Sequence, residues 1–203
     1  MITDYKKRAT VTGVKEAYSL FSRVIKMAVE DYGSVDGWGE VGGDTQIVAE
    51  KYFIPYLSGT FKIPVDTVRN YNLYTLSNMN FHGAPNYHGQ NNAYALSNGM
   101  AFNLYMYGGI LEIVVDINGL KSPNVLGIDG FVFIVDKKTS ILHPAGYEYS
   151  RNQLLTNDEG GFPSGKCIRD DLPFGYYRGE CCAAVIAKDG WQITKDYPWG
   201  NGR

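Results

Sequence analysis

The sequence contains no run of about 18 apolar residues, the length that a helix needs to cross a bilayer. It also has no apolar stretch after Met1 of the kind that forms the centre of a secretory signal peptide. The chain as written is therefore expected to be soluble. The same absence also fits a chain that begins after a removed membrane anchor, with Met1 as an added start.

Positive charge is scarce in this sequence. The 19 Lys and Arg residues are set against 21 Asp and Glu residues, which gives a formal net charge of −2. The only basic run is Lys6-Lys7-Arg8, and a solvated approach to a helix explains it, so no ligand is assigned to it. A nucleic acid partner is not expected, because no stretch offers a row of Lys and Arg to a phosphate backbone.

Catalytic motifs are absent from the sequence. There is no HExxH motif, no GxSxG motif and no Walker-type glycine loop, and His82, His88 and His143 lie far apart. The carboxylate pair Asp170-Asp171 has no supporting context for acid and base chemistry. The chain is therefore expected not to be an enzyme.

Cysteine is rare and is confined to the last part of the chain. Cys167, Cys181 and Cys182 show no CxxC spacing and have no histidine nearby, which argues against a zinc site. One disulfide that closes a loop of about 15 residues would stabilise the fold by roughly 3 kcal/mol and would indicate an oxidising compartment. On these residues alone, three buried free thiols in a cytosolic protein remain the alternative.

Hydrophobic residues, glycine and tyrosine are abundant. The chain has 203 residues, of which 44% are hydrophobic, 24 are Gly and 16 are Tyr. This length allows one sizeable core, so a single domain over residues 1–203 is expected. The many Gly and Tyr residues favour turns and short strands over a helical bundle.

The clearest periodic signal predicts a helix over residues 10–31. Its apolar positions follow the i, i+3, i+4, i+7 rule, and Gly33 follows as a stop signal. These positions are Val14, Ala17, Tyr18, Phe21, Val24, Ile25, Ala28, Val29 and Tyr32. A second, shorter helix is predicted over residues 45–57, with Asp44 as its N-cap and Pro55 near its end.

Loops and then strands are predicted for the middle of the chain. Residues 59–92 are rich in Asn, Tyr, Gly and Pro, and they predict a loop-rich insertion with brief strand pieces, for example over residues 68–76. Short β-type runs separated by Gly and Asn turns then cover residues 93–96, 99–105, 109–116 and 131–136. Together these runs predict an antiparallel sheet within residues 93–199.

A closing hairpin is predicted near the end of the chain. The apolar runs 182–187 and 191–194 flank Asp189-Gly190, and an Asp-Gly pair between two such runs is a hairpin signal. The order is therefore helix first and sheet last. The expected fold class is α+β, with the long N-terminal helix packed on one face of an antiparallel sheet.

Three stretches of the sequence, taken together, carry a family resemblance. The first is VTGVKEAYSLFSRVIKMAVEDYGSVDGW (residues 11–38), the second is VVDINGLKSPNVLGIDGFVFIV (114–135), and the third is CAAVIAKDGWQITKDYPW (182–199). Together they resemble the soluble head of the bacterial prepilin-type proteins that form type II secretion pseudopili and type IV pili. The second stretch is similar to these proteins in its Asp-x-Asn-Gly, Pro-Asn and Gly-x-Asp elements, and the third in its closing hairpin and tail.

The resemblance implies a structural subunit that acts by assembly. In this family a hydrophobic helix precedes the head, sits in the bacterial inner membrane and bundles into the core of a filament. Residues 10–31 would then be the second half of that helix, and the chain would represent the periplasmic portion alone, since the prepilin peptidase site is missing. The implied partners are other pilin-like subunits and secretion or pilus assembly proteins, with membrane contact only through the absent N-terminal helix. The head itself would be periplasmic or extracellular.

For the cysteines, the resemblance implies a pairing. Pilin-like heads often close a C-terminal loop with a disulfide, and Cys182 matches the family's cysteine before the hairpin. Cys167 is therefore expected to pair with Cys182, which leaves Cys181 over. Because adjacent residues on a strand point to opposite faces, only one of Cys181 and Cys182 is expected to reach Cys167.

Several oxygen-bearing side chains fall in the turn after the strand predicted over residues 109–116. Calcium takes about 6 to 8 oxygen ligands, and loop carbonyls with the side chains could supply them. These side chains are Asp116, Asn118, Asn124 and Asp129. The alternative is turn chemistry, in which Asp and Asn cap turns through backbone amides. Calcium in a neighbouring loop of some members of the resembled family supports the first interpretation, and the lack of EF-hand spacing supports the second.

Two functions follow from these observations. The first is that of a structural subunit in a type II secretion pseudopilus or a type IV pilus-like filament. The alternative is a secreted or surface adhesin-like module that binds glycan through the Tyr- and Asn-rich residues 59–90.

Overall fold

The structure, a computed structural model, describes residues 4–38, 44–81, 83–85, 92–107, 110–156, 165–169 and 177–199. A long helix, α1 (Asp4–Tyr32), precedes a six-stranded antiparallel sheet. The fold is therefore α+β, as the sequence predicts. No helix within these ranges is both long enough and apolar enough to cross a membrane.

Short elements follow α1 along the chain. The other helices in the described ranges are α2 (Thr45–Tyr52), α3 (Val65–Arg69), α4 (Arg151–Leu155) and α5 (Cys182–Lys188). The strands are β1 (Phe61–Lys62), β2 (Tyr94–Ala95), β3 (Ala101–Tyr107), β4 (Ile110–Asp116), β5 (Gly130–Asp136) and β6 (Ile141–Pro144). Each strand pairs with the next one along the chain, so the sheet is a meander in the order β1-β2-β3-β4-β5-β6.

The apolar stripe of α1 packs on one face of this sheet. Its buried residues are Thr10, Val14, Ala17, Phe21, Val24, Ile25 and Ala28. The ring of Phe21 meets that of Phe102 on β3 edge-on at 5.0 Å, and Tyr18 lies 6.0 Å from Phe133 on β5. None of residues 4–9 is buried, so the start of the helix extends beyond the core.

The second face of the sheet is covered by the loop-rich segment before β2. Tyr71, Leu73 and Phe81 from this segment are buried against Val114 and Val132 of the two central strands. Residues 82 and 86–91 of the same segment lie outside the described residues. The described part of the insertion therefore serves as the cover of a second small core.

The predicted helices differ from the observed ones at their ends. The first begins at Asp4, six residues before the predicted start. The prediction started too late because the first turns of this helix carry no apolar stripe. The second ends at Tyr52, since Pro55 lies in a separate 3-10 turn (Ile54–Tyr56) that replaces the predicted last turn of the helix.

The predicted closing hairpin is wrong, because residues 182–188 form α5. Its Cys-Ala-Ala-Val-Ile-Ala-Lys sequence is rich in Ala, the best helix former, and residues 182–186 are all buried, so they show no strand alternation. The Asp-Gly pair ends the helix instead of turning a hairpin. Gly190 adopts φ +69°, the left-handed conformation that commonly follows a helix end.

The strand pieces were predicted incompletely. Residues 65–69 form α3 after Pro64, where residues 68–76 were expected to include a strand, and Tyr74 makes only isolated bridges with Asn80 and Val125. The strand β6 and the helix α4 had no prediction. Both are short and depend on contacts with distant parts of the chain, which local sequence patterns do not report.

Replacing Phe21 with Ala tests the packing of α1 on the sheet. The side chain is fully buried between Phe53 and Phe102, so its removal should lower the free energy of unfolding by about 3 to 5 kcal/mol. Met27→Ala on the exposed face of the same helix should change it by less than about 0.5 kcal/mol. Urea denaturation would measure both, and equal losses in the two variants would contradict this packing.

Candidate functional site

A disulfide joins Cys167 to Cys182, 15 residues apart, as the family resemblance implied. The backbone N–H of Cys167 donates to the carbonyl of Leu154 in α4 at 2.9 Å. The disulfide and this hydrogen bond together connect α5 to α4 through Cys167. Disulfides persist in oxidising compartments, and this one indicates a location outside the cytoplasm.

Cys181 is the one free cysteine of the chain and is buried just before α5. Burial raises the pKa of its thiol well above the ordinary value, which keeps it protonated and unreactive. Its sulfur also fills the space beside Gly146 and Gly165, where an added Cβ would lie 2.6 and 3.1 Å from it. Cys181 and Cys182 thus lie at the start of a helix, not on the strand that the sequence predicted.

The four predicted calcium ligands come together in two adjoining turns. At the end of β4, Asp116 accepts from the backbone N–H of Asn118 at 3.0 Å and from the Tyr71 hydroxyl at 2.7 Å. Gly119 closes this turn at φ +74°, where its absent Cβ would meet the carbonyl of Gly99 at 2.8 Å. This arrangement is the turn chemistry that the sequence allowed.

Asp129 connects this first turn to the second. Its carboxylate accepts from the backbone N–H groups of Val125 at 2.6 Å and Asn124 at 2.9 Å, and from the side-chain amide of Asn118 at 3.1 Å. The turn at residues 116–119 and the turn at residues 124–129 are therefore held by one carboxylate. We call these two turns, joined by the carboxylate of Asp129, the Asp129 hub.

The donor set of the Asp129 hub also suits a hard cation. The side-chain oxygens of Asn118 and Asn124 are buried without a hydrogen-bond partner, and they lie on the same two turns as the carboxylates of Asp116 and Asp129. Oxygen ligands of these kinds are those that calcium takes. Within the described ranges, however, no three His, Cys, Asp or Glu side chains are grouped to hold a metal, and the carboxylates already cap turns. Turn capping is thus present, and calcium binding stays a prediction.

Burial perturbs the two carboxyl groups of the hub. It raises the pKa of Asp116 to about 7, against the opposing effect of the Tyr71 hydroxyl, and it also raises the pKa of Asp129. No ion pair in the described residues neutralises either group. The two acids therefore carry a cost when ionised together, which a proton or a bound cation would relieve.

The C-terminal tail is anchored on the same hub. The Tyr197 hydroxyl donates to the carbonyl of Gly127 at 2.7 Å, and an added Cβ on Gly127 would lie 2.6 Å from the sulfur of Cys182. Further out, Arg151 on α4 binds the tail through Asp189, Thr194 and Asp196. The second and third stretches of the family resemblance thus meet in space.

Tyr71 and Arg151 are the polar residues that sequence reasoning missed. Tyr71 lies in the insertion, 45 residues before its partner Asp116, and Arg151 lies 38 residues before Asp189. No short-range pattern joins residues at such distances. A capping box at Ser150 and Gln153 is the only local signal that would have placed Arg151 at a helix start.

A cleft of about 800 Å³ lies beside the hub, at the end of the molecule where α1 begins. Its walls include Tyr5, Lys6 and Thr10 from the helix, Asn118 and Asp129 from the hub, and Arg169 and Trp199 from the C-terminal part of the chain. Thr10 also donates a long hydrogen bond, 3.4 Å, to the carbonyl of Ile128 in the second turn. Helix start, hub and tail therefore share one surface.

Loss of the disulfide should destabilise the fold. The double variant Cys167→Ala/Cys182→Ala should lose about 3 kcal/mol of unfolding free energy, because the open loop restores freedom to the unfolded chain. Cys181→Ala is the control and should keep the cross-link. Thiol labelling of the unfolded, unreduced wild-type protein should find one reactive cysteine, and three would contradict the pairing.

The stability of the protein should depend on the ionisation of Asp116. Its folded pKa of about 7 lies above the ordinary aspartate value of 3.8, so the folded state binds the proton more tightly and stability falls as pH rises through this window. The slope from this group approaches about 1.4 kcal/mol per pH unit. In urea denaturation at several pH values, Asp116→Asn should remove this part of the slope, while Asp66→Asn on the surface should not.

Glu112 and Glu180 also have pKa values raised by burial, so only the difference between wild type and variant isolates Asp116. An unchanged slope in Asp116→Asn would contradict the assignment. Repeating the series with calcium chloride tests the metal prediction, because an ion between the carboxylates would stabilise the protein most at high pH. No calcium effect on the wild type at any pH would leave turn capping as the sole role.

A comparison of this chain with family models, with curated proteins and with solved structures found no match in any of the three.

Proposed function

We propose that this chain is the head of a structural subunit of a type II secretion pseudopilus or a type IV pilus-like filament, and that it acts by assembly and not by catalysis. The observation that carries the proposal is the form of α1. The helix has 29 residues, about 43 Å at 1.5 Å per residue, and its first buried position is Thr10. Its start is free of the core and so positioned to continue a longer helix.

The rest of the fold supports the same proposal. A meander sheet follows the helix, and a disulfide closes the C-terminal part of the head, as expected for a protein outside the cytoplasm. In the proposed function the apolar stripe of α1 packs the helix on the head, and the helix continues into a membrane segment that packs with other subunits. The partners are thus other pilin-like subunits and the secretion or pilus assembly proteins that handle them.

The Asp129 hub has a defined role in this proposal. It fixes two surface turns, the cleft wall and the tail through one carboxylate and one tyrosine hydroxyl. Subunit contacts on these loops would depend on their order, so loss of the hub should weaken assembly more than it alters the fold. A calcium ion bound there would act in the same direction.

The adhesin alternative rests on the aromatic residues of 59–90, two of which are buried in the described part of that segment. In the described part of residues 59–92, Tyr71, Leu73 and Phe81 are buried against the second face of the sheet. Aromatic side chains that are packed in this way cannot stack on a sugar.

The gene sequence upstream of the Met1 codon tests the proposed function directly. It should encode a short basic leader, a prepilin peptidase site and about 20 apolar residues in frame with α1. The full-length product should then be cleaved when it is expressed with a prepilin peptidase, as a mobility shift on a gel would show. A genuine start codon at Met1, or an ordinary signal peptide, would overturn the filament function.

A further inference from the structure

The first turns of α1 carry a run of basic residues. Lys6, Lys7 and Arg8 are consecutive in the first turns of the helix, and none of them takes part in an ion pair within the described residues. Among the described residues, the guanidinium of Arg8 donates one long hydrogen bond, 3.4 Å, to the backbone carbonyl of Asp4. Cations near a helix N-terminus interact unfavourably with the helix dipole, so these three residues do not stabilise their own helix.

The three cations point in different directions. Consecutive residues on an α-helix are separated by about 100° around its axis, since a turn takes 3.6 residues. Lys6 faces the cleft, while Lys7 and Arg8 do not line it. A partner that lies along one side of the helix would therefore contact only some of them, whereas a plane across the end of the helix would contact all three.

Aromatic residues and a fourth cation lie at the same end. Tyr5 is 77% exposed and lines the cleft together with Lys6, Arg169 and Trp199. The Nε of Arg169 donates to the carbonyl of Pro198 at 3.2 Å, which holds this guanidinium beside Trp199. Tyrosine and tryptophan mixed with lysine and arginine is the composition of surfaces at a membrane interface.

Among the described residues of the helix start and the cleft lining, basic side chains outnumber acidic ones. Among the described residues that line the cleft, Asp129 is the one acidic side chain, and three donors already bind its carboxylate. In the first two turns of α1, Asp4 is the one acid beside Lys6, Lys7 and Arg8. The full chain, in contrast, has a formal net charge of −2. A general attraction to anions is therefore not expected, and any attraction should be local to this end.

We propose that this end of the head docks on an anionic phospholipid surface. Lys6, Lys7 and Arg8 contact headgroup phosphates around the helix, and one phosphate enters the cleft beside Arg169. Tyr5 inserts at the headgroup level, next to the exposed part of Trp199, which otherwise packs against the core. The helix axis then stands across the membrane plane. The inference does not need the filament function, since the chain alone carries all of these groups.

Co-sedimentation of the chain with lipid vesicles tests the proposal. The protein should bind vesicles that contain phosphatidylglycerol and not vesicles of phosphatidylcholine alone, and about 0.5 M salt should release it. Each cation near an anionic surface contributes roughly fivefold, so Lys6→Gln/Lys7→Gln/Arg8→Gln should weaken binding on the order of 100-fold. Trp199→Phe should remove a blue shift of tryptophan fluorescence that wild type shows on binding.

A matched control separates local from general charge. Arg23→Gln/Lys26→Gln/Lys138→Gln removes three cations from elsewhere on the surface and should leave binding unchanged. Equal losses in the two triple variants, or no binding of wild type at low salt, would overturn the proposal. So would concentration-dependent self-association without vesicles that the first triple variant abolishes, because the occupant of the surface would then be a second copy. Neither result would bear on the leader and anchor that test the filament function.

Discussion

The carboxylate of Asp129 accepts three hydrogen bonds that join two separate turns, and much of one end of the molecule depends on it. The donors are the backbone N–H groups of Asn124 and Val125 and the side chain of Asn118. A buried carboxylate is costly unless such donors surround it, so the turns and the acid require each other. Removing the acid would leave two partly buried N–H groups without this acceptor.

The turn that ends at Asp129 also contacts the disulfide, the C-terminal tail and the start of α1. Gly127 lies inside the second turn, and its carbonyl accepts a hydrogen bond from the Tyr197 hydroxyl. Its lack of a side chain leaves room for the sulfur of Cys182, which an added Cβ would displace. Ile128 accepts from Thr10 of the long helix. The disulfide, the tail and the helix start are thus placed by one six-residue turn, in which glycine is required by space as well as by its φ of +79°.

The parts that the sequence predicted correctly are those with a local period. The stripe of α1 and the apolar runs of β3, β4 and β5 are recognisable within a few residues, and their pairing follows from short connections. The run 182–187 was misread because a fully buried apolar segment has no period, and an Asp-Gly pair serves a helix end as well as a hairpin. At the site, Asp116, Asn118, Asn124 and Asp129 were identified as oxygen donors after a predicted strand, with calcium binding and turn capping as the alternatives. Tyr71 was not, because its contact with Asp116 spans 45 residues.

The position of Asp129 also connects the interior to the surface at the start of α1. Its carboxylate closes the turns on one side and forms part of the cleft wall on the other. Tyr5, Lys6 and Arg169 therefore line a cleft whose opposite wall is fixed by hydrogen bonds within the two turns. A basic surface that rests on such a wall is held in place by the core, which is the property that a contact between the head and a membrane plane requires.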